Sequence, residues 1–543
     1  MHPTTSPQAP TTAETINPIF LEVFWTRARS IVDEAAKLIV RTSFSTLSSE
    51  ANDFAVVMTD AQGRALIENS ASVPSFIGTL PATVRYAIDQ IGKDDMRDGD
   101  VYITNNPWHG TGHLNDFCFV KPIFFDGALV AFSATAAHMP DIGGRIRSVE
   151  ARELFEEGFH IPLMPLLREG VADESLLLLL RTNVRTPEQT VGDVWSQVGA
   201  TELVARRLQE VMREYGLTEI DAIAEALFER SDAAMRRAIA ELPEGDYRYA
   251  MQTDGFETPF DYVVNVSVRN GEILCDFAGT SEQQPRGINC VLAYTYAMTV
   301  YAIKCLLLPD LPNNDGLFRS IRVEAPEGSL LNPRYPAAVG GRACTGHYVP
   351  TVVFGALHAI LPDRVMAGVG SPLWIVNMSG TRANGKPFAT VFFYNGGMGA
   401  TASKDGNSTT SWPSNISPTP IEIAERDGPF RFKHKRLVDG SGGAGQHRGG
   451  LGQEICFVSL HTGPLSVVFL AERLHQPAQG LAGGEPGACG AVLINGQAVD
   501  ARRQHVILPG DEVTLRTPGG GGYGPAPKRE AASLQRDRQS GYA

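Results

Sequence analysis

The 543-residue sequence is sparing with cysteine: it has seven, an odd number, and no CxxC pair. That excludes a disulfide framework or a cysteine-built zinc ribbon and points to reduced thiols in a cytosol-like compartment. Runs of basic residues are missing too. With 47 Lys+Arg against 60 Asp+Glu the formal charge is −13, a field that repels phosphate backbones and anionic membranes, so nucleic acid is not an expected partner. The opening MHPTTSPQAPTTAETIN has no basic segment followed by an apolar one, so no secretion signal is read in it. There is no GxxxxGK[ST] phosphate loop and no GxSxG elbow, which argues against ATP binding by this chain and against serine-hydrolase chemistry. The one long apolar run, Cys290 to Leu308, contains Lys304, stops at Pro309 and has Asn289 placed to cap it, so it reads as a buried helix rather than a membrane span. A soluble, cytoplasmic protein is expected.

What the chain does have is length, a 43% hydrophobic content and 55 glycines, enough for several domains with cores of their own. A Thr/Pro-rich lead over 1–16 is expected to be disordered. Apolar residues at three- and four-residue spacings predict an amphipathic helix over 19–42. FAVVMT, the turn Asp60 to Gly63 and RALIEN then form a hairpin, a helix starts near Pro81, and 190–242 reads as two helices parted at Gly216. The expected fold class is α+β and multidomain. Its parts are a mixed N-terminal metal-site domain (17–245), a central domain (246–430) around the 290–308 helix, a β-rich C-terminal domain (431–525) and a flexible tail (526–543). The glycine-rich stretches 442–450 and 518–524 read as tight turns at domain contacts, and His347 as a core or interface residue.

Chemistry concentrates between residues 105 and 144. Asp126-Gly127 between two apolar runs is a strong two-residue hairpin turn, since both positions tolerate positive φ. If Phe125 pairs with Ala128, Asp116 falls opposite Ala137 and next to His138. His113 precedes Asp116 by three residues, so two imidazoles and one carboxylate come within reach of a common centre. That donor set leaves coordination positions free and suits Mn, Fe or Zn. Strict register leaves 116 and 138 one residue out of step, on opposite faces unless a bulge intervenes. The alternative is a Gly-rich loop with hydrogen-bonded histidines. Asp141 is a candidate general base or orienter of a ligand histidine, or else a turn former before Gly143-Gly144. His109 either lines a substrate cavity or caps the loop.

Several blocks together resemble the hydantoinase B/oxoprolinase family: NDFAVVMTDAQGRAL, VPSFIGTLPATV, DVYITNNPWHGTGHLND, AHMPDIGG, LFEEGFHIP, NVRTPEQTVGD, CDFAGTSEQQPRGIN and SGGAGQHRGGLG, running from about Asn17 to Pro525. The resemblance implies a B-type subunit working with an A-type partner that binds ATP and phosphorylates an amide or enol oxygen. Family activities include opening of hydantoins, oxoproline and lactams, and carboxylation of acetone or acetophenone. In the carboxylase branch a His-x-x-Asp motif and a later His hold manganese; the matching positions here are His113, Asp116 and His138. Manganese therefore leads zinc and iron as the expected ion, with ATP bound by the partner. The chain departs from the family at Phe76, where many members have His, and at Asn106 in the usual Asn-Asp-Pro, so a particular substrate does not carry over. The leading expectation is the B subunit of an ATP-dependent cyclic amidohydrolase in a hetero-oligomer such as A2B2. A ketone carboxylase subunit and a non-catalytic scaffold are the alternatives.

Overall fold

The computed structural model describes residues 16–382 and 384–542. The 1–16 lead lies outside them except for Ile16, which is buried.

The first layered unit is built on a seven-stranded antiparallel sheet. Its strands are β1 (Phe54–Asp60), β2 (Ala65–Glu68), β3 (Val101–Thr104), β4 (Asp116–Phe125), β5 (Ala128–His138), β6 (Met164–Arg168) and β7 (Val171–Ala172), in the order β2-β1-β5-β4-β3-β6-β7. β1 and β4 are buried along almost their whole length because helices cover the sheet. One is Pro18–Thr42, started by Asn17, whose side chain accepts from Ile19 N, with Pro18 at a position where a missing N–H costs nothing. Its buried stripe of Leu21, Phe24, Ala28, Ile31, Val32, Ala35 and Ile39 is the expected one. Thr79–Ile91 and the pair Pro187–Tyr215 and Asp221–Ala240 also match the expected helices, with Gly216 closing the first of the pair in the left-handed conformation.

A second sheet, β8 (Gly245–Thr253), β9 (Phe260–Arg269), β10 (Glu272–Asp276) and β11 (Ile321–Glu324), packs with the apolar helix Leu292–Leu307. That helix starts after Val291. Asn289 does not cap it; its side chain instead binds Gln284 N and the carbonyls of Gln284, Arg286 and Ala338. Both sheets share one continuous core. Strands β12 (Trp374–Thr381) and β13 (Pro387–Tyr394) pair onward with Leu465–Leu470 and Gln504–Ile507, while a fourth sheet contains Phe430–Leu437, Gln453–Ser459 and Glu512–Arg516. These two sheets enclose a second core running from Trp374 to Leu515, which places residue 430 inside a packed unit rather than at its edge. The 526–543 tail carries the helix Ala531–Gln539, tied down by Arg529 between Asp405 and Asp537. The multidomain α+β architecture stands.

The glycine-rich stretches are not turns. Residues 396–399, 442–452, 480–487 and 518–522 run side by side, linked by bonds such as Gly520 N to Gly450 O (2.9 Å), Gly443 N to Gly520 O (2.8 Å) and Gly397 N to Pro518 O (3.0 Å). Only glycine fits: an added Cβ would lie 1.9 Å from Gly450 O at position 397 and 2.0 Å from Met398 O at position 520.

Candidate metal centre

Three strand ends meet in the middle of the first sheet: β1 begins at Phe54, β4 begins at Asp116 and β5 ends at His138. Asp126 and Gly127 close the β4–β5 hairpin with φ of 48° and 83°, as their residue types require. Phe125 pairs with Ala128 and Phe124 with Leu129, but Ile123 pairs with Ala131, leaving Val130 as one extra residue. This bulge moves the rest of the ladder by one. Asp116 therefore pairs directly with His138, and their side chains share a face. A sign of it stood in the sequence: Pro122, which has no N–H to donate, lies beside the irregularity.

His113 comes from the loop before β4. Asn105 holds that loop, its amide donating to Leu114 O (2.8 Å) and Phe159 O (2.9 Å) and its oxygen accepting from Ile161 N (2.6 Å). One donor atom each of His113, Asp116 and His138 lies within 4.8 Å of the other two, and all three residues are buried. Asp116 Oδ1 stands 2.7 Å from His113 Nε2 and 3.0 Å from His138 Nδ1. The other oxygen, Oδ2, accepts from Arg342 Nη2 at 2.6 Å and from the Thr111 hydroxyl. Arg342 also donates through Nε to Thr111 O (2.7 Å), and its guanidinium lies 4.6 Å above the Tyr294 ring. Gly112, at φ 103°, leaves room for it: a Cβ there would sit 2.8 Å from Arg342 Cδ.

These residues fit a divalent cation. Both ring nitrogens of His113 are buried without a hydrogen-bond partner, which a folded protein rarely tolerates at a polar group with no further use. The 2.7 Å approach of His113 Nε2 to Asp116 Oδ1 lacks hydrogen-bond geometry, an arrangement that suits two lone-pair atoms aimed at one ion. Ligands at about 2.1 Å from one ion stand about 3.0 Å apart in cis-octahedral positions and about 3.4 Å apart in a tetrahedron. The contacts of 2.7 and 3.0 Å agree with the first.

Electrostatics prepare the same state. Burial, aided by Arg342, holds the His113 imidazole well below its ordinary pKa, so it is neutral and can act as a ligand. Burial alone would raise the Asp116 carboxyl, but the Arg342 guanidinium and the hydrogen bond with His138 oppose it, and the group is held well below the usual carboxylate range. Beside the triad, Asp53 Oδ2 lies 3.9 Å from His138 Nδ1, and burial raises its pKa. Arg147 places Nη1 3.4 Å from His138 Nε2 and donates through Nε to Gly340 O (2.7 Å).

The other two sequence candidates do not join this group. His109 is exposed, its ring stacked flat on Tyr86 at 3.8 Å. Asp141 is nearly buried and engaged: Oδ1 accepts from Arg185 Nη1 (2.6 Å), and Oδ2 accepts from the backbone N–H groups of Gly143 and Arg185. His347 is buried, with Leu373 N 3.4 Å from its Nδ1, as a core reading requires.

The profile of the hydantoinase B/oxoprolinase family matches residues 17–526. The chain belongs to that family. Among its relatives is an uncharacterized protein of Methanocaldococcus jannaschii, 30% identical over 534 residues, covering 96% of this chain and 92% of that one. The caprolactamase subunit beta of Pseudomonas jessenii is 27% identical over 560 residues, 97% of this chain and 94% of its own. The crystal structure of the ATP-dependent caprolactamase from the same organism superposes with a TM-score of 0.90 at 25% identity, covering 97% of this chain and 94% of that chain. A nucleotide-free acetone carboxylase superposes with a TM-score of 0.87 over 98% of this chain and 79% of that one; at 19% identity this is a likeness of fold. The relatives of this chain thus include an ATP-dependent caprolactamase. Among the described residues, no helix is long and apolar enough to cross a membrane.

Arg342, Arg147, Asp53 and Glu157 escaped the sequence reading. Arg342 had a visible signal, since an arginine between Gly-Gly and Ala-Cys-Thr has little chance of burial without a carboxylate partner. Glu157 had none. Its Oε1 accepts from Val339 N (2.8 Å) and Gly340 N (2.6 Å), its Oε2 is buried without a partner, and burial pushes its pKa up to about 8. Because this folded-state pKa lies above the ordinary carboxyl value, the stability gained from Glu157 is complete below about pH 4.5 and is lost as pH rises toward 8. Urea unfolding at pH 6 and pH 8 should show wild type losing about 2–3 kcal/mol more than Glu157→Gln over that interval, at about 1.4 kcal/mol per unit. Equal losses would mean that Glu157 is ionised throughout.

Proposed function

We propose that this chain is the B-type subunit of a two-component, ATP-dependent amidohydrolase that opens a cyclic amide such as a hydantoin or lactam. The observation carrying this reading is the buried His113–Asp116–His138 group, with both His113 nitrogens lacking a hydrogen-bond partner and Asp116 Oδ1 facing both histidines. The amide branch is favoured because the caprolactamase resembles this chain in sequence as well as fold and over nearly its full length. An A-type partner would phosphorylate the ring amide oxygen, giving a better leaving group and an electron-poor carbon; no phosphate loop is present in this sequence to do so.

His113, Asp116 and His138 would hold the ion, with manganese, which prefers six-coordination, ahead of zinc. Such an ion supplies Lewis acidity and open positions for water and substrate. Arg342 and Thr111 fix the Asp116 carboxylate so that Oδ1 alone faces the ion. Arg147 directs positive charge to the His138 edge, where an oxyanion would gather. Asp53, whose Oδ2 lies 3.9 Å from His138 Nδ1, would be within reach of a proton beside the ion. Asp141, bound to Arg185, would hold the loop that follows β5.

Metal analysis of purified protein is the direct test. About one ion per chain is expected in wild type and essentially none in His113→Ala and His138→Ala; unchanged metal in both variants refutes the site. Co-purification with the A-type partner, then an ATP-turnover screen of lactams, hydantoins and ketones, decides the chemistry. Turnover that requires bicarbonate would replace the hydrolase with the carboxylase reading.

A further inference from the structure

The His113–Asp116–His138 group is buried, so anything that reacts there needs a way in. A cavity of about 500 Å³, within the range of small-molecule sites, opens between the loop at Phe44–Leu47, the start of helix Pro187–Tyr215 and the first residues of β13. Beneath it lies a crevice of about 30 Å³ that reaches His138 and Asn115. The two spaces share Pro140, Arg185, Ala389, Thr390 and Val391 as walls, so only these side chains stand between them. The crevice has room for about a water or two and none for a ring.

At the junction stands Arg185. Its guanidinium is ion-paired to Asp141 and also donates to Gly144 O, bridging the neck from the helix side to the segment that follows β5. The charge along this route is mainly positive. Arg382 and Lys386 stand at the outer rim and Arg147 in the crevice, where Arg145 is paired with Glu150 and Glu156 and Asp141 with Arg185. Glu188 and Asp427 are the opposing acids of the outer cavity. Its walls are otherwise apolar, with Phe44, Leu47, Pro140, Val184, Pro187 and Phe388 among them.

We propose that this cavity is the binding entrance to the metal group, that it takes a small molecule with an apolar body and an anionic group, and that the Arg185–Asp141 ion pair is the gate of its neck. This rests on the metal reading of the triad. It also gives Asp141 a task consistent with its position. When Arg185 swings off Asp141, the segment Pro140–Gly144 is released and the neck can widen; with the pair closed, only water-sized molecules pass.

The test uses protein loaded with manganese, freed of unbound ion by gel filtration, with inorganic phosphate as the anionic probe. Manganese near the neck should broaden the 31P resonance of phosphate at least several-fold beyond the effect of metal-free protein. Ala389→Trp, which fills the neck, should bind the same amount of manganese yet abolish most of the broadening and slow removal of the ion by EDTA at least tenfold. Arg185→Ala should do the opposite and hasten removal, and it serves alone if the tryptophan variant does not fold. Absence of bound manganese in wild type would refute the metal reading itself. Bound manganese with broadening and removal rates unchanged in the variants would refute this entrance while leaving the metal group intact.

Discussion

Asp116→Ala should empty the metal group and, in chelator-treated protein, still cost about 3–5 kcal/mol of folding stability. The two losses have separate origins. Asp116 Oδ1 faces His113 and His138, so its removal deletes the anionic ligand that offsets the charge of a divalent ion. Asp116 Oδ2 is the partner of Arg342, whose side chain is only 6% exposed. Without the carboxylate, Arg342 keeps Thr111 O and the Tyr294 face but has no counter-charge in a site that water barely reaches. The double variant Asp116→Ala/Arg342→Met separates the effects. It should regain much of the stability, because an apolar pair can replace a buried ion pair at little cost, and regain no metal. Metal content and urea unfolding of the four proteins of the cycle read out both quantities. Retained metal in Asp116→Ala would show that the histidines alone suffice, and full stability in the same variant would show that Arg342 finds solvent.

Gly520→Ala should be more damaging still, although it adds a single methyl group to a glycine run with no regular secondary structure. A Cβ at position 520 would lie 2.0 Å from Met398 O and 2.3 Å from the carbonyl carbon of the same residue. Neither is a side chain that can rotate away, so the backbone of one segment must shift and take with it the bonds Gly520 N to Gly450 O and Gly443 N to Gly520 O. A loss above about 4–5 kcal/mol is expected, enough to leave little soluble folded protein. Gly216→Ala provides the contrast. That glycine has a left-handed φ of 64° but nothing within 4 Å of where an added methyl group would sit, so its cost should stay near about 1 kcal/mol. Soluble yield and thermal unfolding of both variants decide the matter; similar behaviour of the two would show that the glycine layer is not tightly packed.

Much of the site was legible because it rests on local patterns. Asp-Gly between two apolar runs dictates a hairpin, and the spacing of His113 and Asp116 is short enough for one loop to aim both side chains. What the pattern did not settle was which face they reach. That depended on one extra residue, Val130, whose insertion puts Asp116 opposite His138 instead of Ala137. A bulge is chosen by the strand pairings on either side, and β5 is held by β1 as well as β4.

The long-range partners were invisible for a different reason. Arg342 is 226 residues from Asp116, and Gly340, which Arg147 grips, is 193 from Arg147. No periodicity or spacing encodes such contacts; they exist only after the two sheets share a core. The same holds for Asp141 and Arg185, which the chain separates by 44 residues and the fold joins at the neck of a cavity.

By itself, then, the sequence determined the helices with their buried stripes, the hairpin and its turn, the family, and the three residues that cluster at the strand ends. Each follows from steric and hydrophobic rules that act over a few residues, or from motifs that carry them. Tertiary structure alone decided how the glycines are used, where the cores divide and what surrounds the triad. Glycine has no side chain to reveal its neighbours in advance, and a buried charge finds its partner only where packing excludes water and brings distant segments together.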